Sequence, residues 1–154
     1  MKSLLHAIAG TTAMIVIASF WISTLVSEVF LTHTAVAEVK HGILYALFLL
    51  VPLMAVTGGS GFSLGKMKKG ISSWNLILDR KKKRMAIIVA NAFLVMIPVA
   101  FLLNNKAASG EFDTVFYAVQ ILELLAGGMQ LALMSLNFRD GLKLAGKLRP
   151  STNE

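Results

Sequence analysis

The chain has 154 residues, of which 56% are hydrophobic, and it carries a net charge of +7 with no cysteine. A soluble core of this size cannot hide so much apolar surface, and the mean hydropathy of +0.71 points to lipid as the solvent. The missing cysteines exclude disulfides, thiolate-bound metals and thiol nucleophiles. The basic residues cluster beside apolar runs, which points to a membrane surface with anionic headgroups and not to nucleic acid.

Four apolar segments, about 7–31, 39–58, 85–103 and 114–138, each reach the ~20 residues that a helix needs to cross the hydrocarbon. The first is too long for the apolar core of a signal peptide. The expected fold is all-α: an integral-membrane four-helix bundle in a single domain, spanning the inner (cytoplasmic) membrane. Lys2, Lys66, Lys68, Lys69, Arg80, Lys81, Lys82, Lys83, Arg84, Arg139, Lys143, Lys147 and Arg149 all fall on one side of it. Only Lys40 and Lys106 are assigned to the other side. This bias places both termini, the basic loop 59–84 and the tail 139–154 in the cytoplasm.

Within that loop, Gly58-Gly59-Ser60-Gly61 reads as a flexible exit from the second span, where no helix should continue. Ile71, Trp74, Ile77 and Leu78 recur at helical spacing beside Arg80, Lys81, Lys82, Lys83 and Arg84. This predicts an interfacial helix whose basic run meets anionic lipid. Pro52 and Pro98 interrupt the second and third spans, free the carbonyls of Phe48 and Leu94, and predict kinks.

The fourth span carries Gln120, Glu123, Gln130 and Asn137 within one helical arc of roughly 100°, with Phe116, Gly127 and Met134 on the same stripe. Such a seam faces protein or an enclosed cavity. Glu123 lies deep in the span, so it is expected to be protonated, paired or hydrated. No basic residue is assigned to that depth on another span, so no intramembrane ion pair is expected within one subunit. Asn91 falls at the depth of Gln130 and predicts an Asn91–Gln130 clasp. The seam supports two readings: a proton relay or polar ligand site, and interhelical packing with Gly127-Gly128 admitting a neighbour.

The second span reads His41-Gly-Ile-Leu-Tyr45 and then Pro52 after six further residues, in a leucine-rich context. This stretch resembles one helix of small bacterial b-type cytochromes, the cytochrome b561-like group that includes superoxide oxidase. The resemblance implies haem b, with His41 as an axial ligand, Tyr45 beside it and His33 as a nearby imidazole. It would make the protein a haem-binding or quinone-facing electron carrier. The alternatives are a proton-coupled small transporter using the seam and a non-enzymatic subunit. The last would pack as a homo-oligomer or against a larger membrane partner. No other metal site is expected.

Overall fold

Apolar chain in lipid must satisfy every backbone N–H and C=O internally, and helices are the solution taken throughout. A computed structural model describes residues 2–67 and 72–146. They form α1 (Lys2–Phe30), α2 (His33–Met67), α3 (Ser72–Asn91), a π-helical segment (Ala92–Met96), α4 (Ile97–Ala108) and α5 (Thr114–Leu144). The third rod is α3, the π segment and α4 in continuous succession. Four helical stretches are long and apolar enough to cross a membrane: Leu4–Phe30, His33–Gly61, Ile77–Ala108 and Thr114–Lys143. α1 packs on α2 and on α5, α2 packs on α4, and α3 packs on α5, which closes the rods into an up-down ring.

Two tight connections define one end of the bundle, called here the hairpin end. Only Leu31 and Thr32 separate α1 from α2. α4 ends at Ala108 and the chain turns at Gly110, with a φ of 72°, where the Gly110 N–H reaches the Ala107 carbonyl and the Glu111 N–H bonds the Lys106 carbonyl at 2.9 Å. Asp113 then caps α5, accepting from the Phe116 N–H at 2.8 Å, and Lys106 bridges it to Glu111. Beneath these turns, Val36, Val99, Leu103, Ala107 and Phe116 form a buried apolar layer. A second layer, around Ala13, Ile17 and Leu50, lies nearer the end where α1 begins. The outer surface stays apolar, as lipid requires: Phe48 is 80% exposed and Leu94 77%.

Three expectations are corrected. α2 begins at His33, six residues before the expected edge of the second span, because the first connection is so short. Helix also continues through Gly58-Gly59-Ser60-Gly61 as far as Met67. Gly61 is held there by packing: a Cβ would come within 2.9 Å of the His6 ring, so helix contact outweighs glycine's weak propensity. Finally, the segment expected at the interface is the start of α3 and runs unbroken into the third span. Ile71 and the side chain of Trp74 lie outside the described residues. The prolines both occupy exposed positions, and the π segment ends two residues before Pro98.

Phe116 is fully buried in the hairpin-end layer, so Phe116→Ala should lower stability in detergent by about 3–5 kcal/mol, measured by SDS titration. The Asp113 carboxyl is held below the usual carboxylate range by its bonds from Lys106 and the Phe116 N–H. The stability it contributes is therefore full above the ordinary value of about 3.9 and lost as pH falls through the lower folded one. Thermal unfolding across that acid range should show this limb in the wild type, and Asp113→Asn should remove it.

Candidate functional site

Because α2 starts early, Lys40 lies two turns inside the bundle and is only 1% exposed. Its ammonium donates to Glu123 Oε2 of α5 at 2.5 Å and to Thr24 Oγ1 of α1 at 3.4 Å. This ion pair corrects the expectation that no basic group reaches the depth of Glu123. Gln120 donates to the same carboxylate oxygen at 2.9 Å, one turn away on α5. Glu28, one turn beyond Thr24 on α1, interacts electrostatically with both Lys40 and Glu123. Lys40 thus pairs with Glu123 alone, while the Glu28 carboxyl lies in the field of both charges.

The cluster keeps unused capacity. Glu28 Oε1 and Gln120 Oε1 are buried without a hydrogen-bond partner. A buried acceptor left bare costs roughly 1–3 kcal/mol, so a proton or an ordered water gains by entering here. Breaking a buried pair by removing one charge is more costly than replacing both by apolar groups.

One layer further from the hairpin end, Thr24, Glu123 and Gln130 contribute to the wall of a cavity of about 60 Å³ whose lining is mostly apolar, with Phe20, Leu47 and Met96 among it. Trp21 forms part of the same wall. Its indole N–H donates to the Leu124 carbonyl at 2.9 Å, and its ring lies over Gly127, where a Cβ would come within 2.8 Å. Gly127 therefore admits an α1 tryptophan against α5. The expected Asn91–Gln130 clasp is present at 2.9 Å. Asn91 also donates to the Ala126 carbonyl and Gln130 to the Ile88 carbonyl, which locks α3 to α5 just before the π segment. Asn91 and Gln130 are thus taken up by packing bonds, while Asn137 Oδ1, further along the seam, is buried without a partner.

Beyond Met54, which borders both spaces, a vestibule of about 480 Å³ occupies the end where α1 begins and α5 finishes. His6, Lys81 and Asn137 are among the polar points of its wall. The basic run is thus not uniformly lipid-facing. Arg80, Lys82 and Lys83 are exposed, Lys81 lines the vestibule, and Arg84 pairs with Asp140 at 2.6 Å.

Gln120, Glu123, Gln130 and Asn91 come together in the interior as expected. The proposed haem residues do not. His41 and Tyr45 occupy exposed positions of α2, edge to face at 4.7 Å, and His41 Nδ1 lies 3.3 Å from Asn104 Oδ1. His33 is stacked on Phe112 at 4.0 Å. None of the three lines either cavity. Two axial ligands must face an iron from opposite sides, whereas these imidazoles stand two turns apart on one helix. The residues present do not form a haem cradle within one chain. Among the described residues, no group of three His, Asp or Glu side chains is set to hold a metal ion.

Sequence reasoning missed Lys40, Glu28 and Thr24. The signal was there in part: Trp21, Thr24, Ser27 and Glu28 recur at helical spacing, and Thr24 and Ser27 are 2% and 0% exposed. Lys40→Met or Glu123→Leu alone should lower unfolding stability by about 3–5 kcal/mol, and the double variant should recover most of it. A double-mutant cycle by SDS titration reads this coupling directly. No family model, curated protein or solved structure matches the chain, so function is inferred from side-chain geometry.

Proposed function

We propose that the protein is a proton-coupled carrier of the cytoplasmic membrane, with both termini in the cytoplasm. The observation that carries this is the Glu28–Lys40–Glu123 triad, a buried Lys40–Glu123 ion pair with a second carboxyl, Glu28, in its field. Ionisable groups at such depth are costly and mark ion or proton pathways. The burial of Lys40 supports the orientation too, because only Lys106 then remains as a basic residue of the hairpin end.

The chemistry is an exchange. With both carboxyls ionised, the triad is one negative charge in excess, which low dielectric disfavours. A proton taken up on either carboxyl neutralises that excess and leaves the other carboxylate to hold Lys40. Its loss restores the excess. Coupling follows if the two protonation states prefer different helix arrangements around the cavity. Apolar packing at the hairpin end closes the triad from that side, while the vestibule opens on the other. This geometry corresponds to a carrier facing the cytoplasm.

Proteoliposomes under an imposed pH gradient, voltage-clamped with valinomycin and loaded with a pH dye, test this. The wild type should dissipate the gradient faster than empty vesicles. Glu28→Gln and the folded double variant Lys40→Met/Glu123→Leu should slow it by about tenfold or more. A double variant that conducts like the wild type, or a wild type no faster than empty vesicles, would overturn the proposal.

A further inference from the structure

The ring of helices is loosely closed beside the vestibule. α2 meets the third rod through α4, and α3 packs on α5 without a comparable contact to α2. Past Pro52, the Met85 side chain of α3 reaches across this gap. Its methyl lies 3.9 Å from where a Cβ would stand on Gly58 and 3.6 Å from the same point on Gly61. All three residues belong to stretches long and apolar enough to cross a membrane, so the gap gives onto hydrocarbon once the chain is inserted.

The wall behind the gap suits an uncharged chain. Met14, Met54, Met85 and Met134 bring one thioether from each of the four helices that border it, and such side chains adapt to irregular apolar shapes. The polar groups along it are largely engaged. His6 Nδ1 donates to the Thr57 carbonyl at 3.0 Å and lies 3.1 Å from Ser60 Oγ, and the Thr57 hydroxyl donates to the Leu53 carbonyl at 2.7 Å. Lys81 has a partner of its own, and Asn137 Oδ1 is buried from solvent. Left empty, a space of about 480 Å³ would forfeit van der Waals contact along its wall, and water would have to wet an apolar lining.

We propose that the vestibule takes up one hydrocarbon chain of a bilayer lipid, which enters sideways between α2 and α3 past Met85. Gly58 and Gly61 keep the mouth clear of side chains on α2, and the flexible Met85 can rotate aside without moving backbone. The chain runs toward Met54, where the vestibule meets the smaller cavity. Recognition is of the chain and not of the head group. A seated chain dries the path from Met54 outward, so under the proton-coupled reading its binding and proton exchange exclude one another. The binding itself does not rest on that reading.

The test uses the full chain in phosphatidylcholine nanodiscs that contain a phosphatidylcholine with a diazirine midway along one acyl chain. Photolysis should label Ile88 and Met134 on the vestibule wall as well as the exposed Phe48. Gly58→Leu, which places a side chain in the mouth, should lower labelling of the wall by about tenfold, because losing the burial of about two methylenes already has that effect. Met85→Trp, which spans the gap with a rigid ring, should do the same from the other side. Phe48 should label equally in both variants and so report that they are inserted.

A phosphatidylglycerol with the same diazirine chain should label the wall to the same extent. Glu123→Gln should label like the wild type, so a failure of the proton-coupled reading leaves this result standing. Labelling confined to the outer surface, wall labelling unchanged in both mouth variants, or stronger wall labelling by the anionic lipid would overturn the proposal.

Discussion

A charge in the interior of a lipid-embedded bundle must be answered by an opposite charge or given up, and Lys40 sets that constraint here. Its ammonium, almost fully buried, ties α2 to Glu123 on α5 and to Thr24 on α1. Three of the four rods therefore meet at one nitrogen. Lipid supplies no hydrophobic force between helices, so polar contacts of this kind and close packing must hold them. The Asn91–Gln130 clasp does the same for the remaining rod, fixing α3 to α5. The first cluster keeps unpartnered oxygens and the second has found donors and acceptors for its amides. This difference separates a site that can take up a proton from one that serves packing.

The space around the triad is graded along the bundle. Apolar packing seals the hairpin end, a cavity of about 60 Å³ has room for roughly two waters, and the vestibule lies past Met54. The π segment contributes Ala92, Phe93 and Met96 to the wall of the cavity and ends two residues before Pro98. Such segments are associated with functional positions in helices, and this one breaks the regular ladder at the level where Gln130 reaches the Ile88 carbonyl. On the opposite wall, Pro52 interrupts the ladder of α2 close to Met54. The interrupted stretches of α2 and of the third rod thus both contribute to the wall of the cavity.

Much of this was legible in the sequence. Four apolar runs gave four helices long and apolar enough to span, and the steps of three, seven and seven between Gln120, Glu123, Gln130 and Asn137 placed all four inside. Lys40 was not legible because a lysine seven residues from a turn reads as a loop charge. Only the two-residue connection after Phe30 draws it into the bundle. The glycine cluster at 58–61 misled in the opposite direction, since low helix propensity yields where His6 needs a side chain removed to pack. The His41–Tyr45 pattern is uninformative for a third reason: a motif on one helix carries no information about which face turns inward. Here that face looks outward.

The central claim is that a carboxyl of the triad exchanges a proton with bulk solvent. Infrared difference titration of the protein in nanodiscs, in water and in deuterium oxide, addresses it most directly. The triad predicts one buried carboxyl stretch that appears as pH falls, shifts on deuteration, and is altered or lost in both Glu28→Gln and Glu123→Gln. A spectrum with no titrating buried carboxyl, or one unchanged in both variants, would reduce Lys40 and Glu123 to a structural pair and contradict the account.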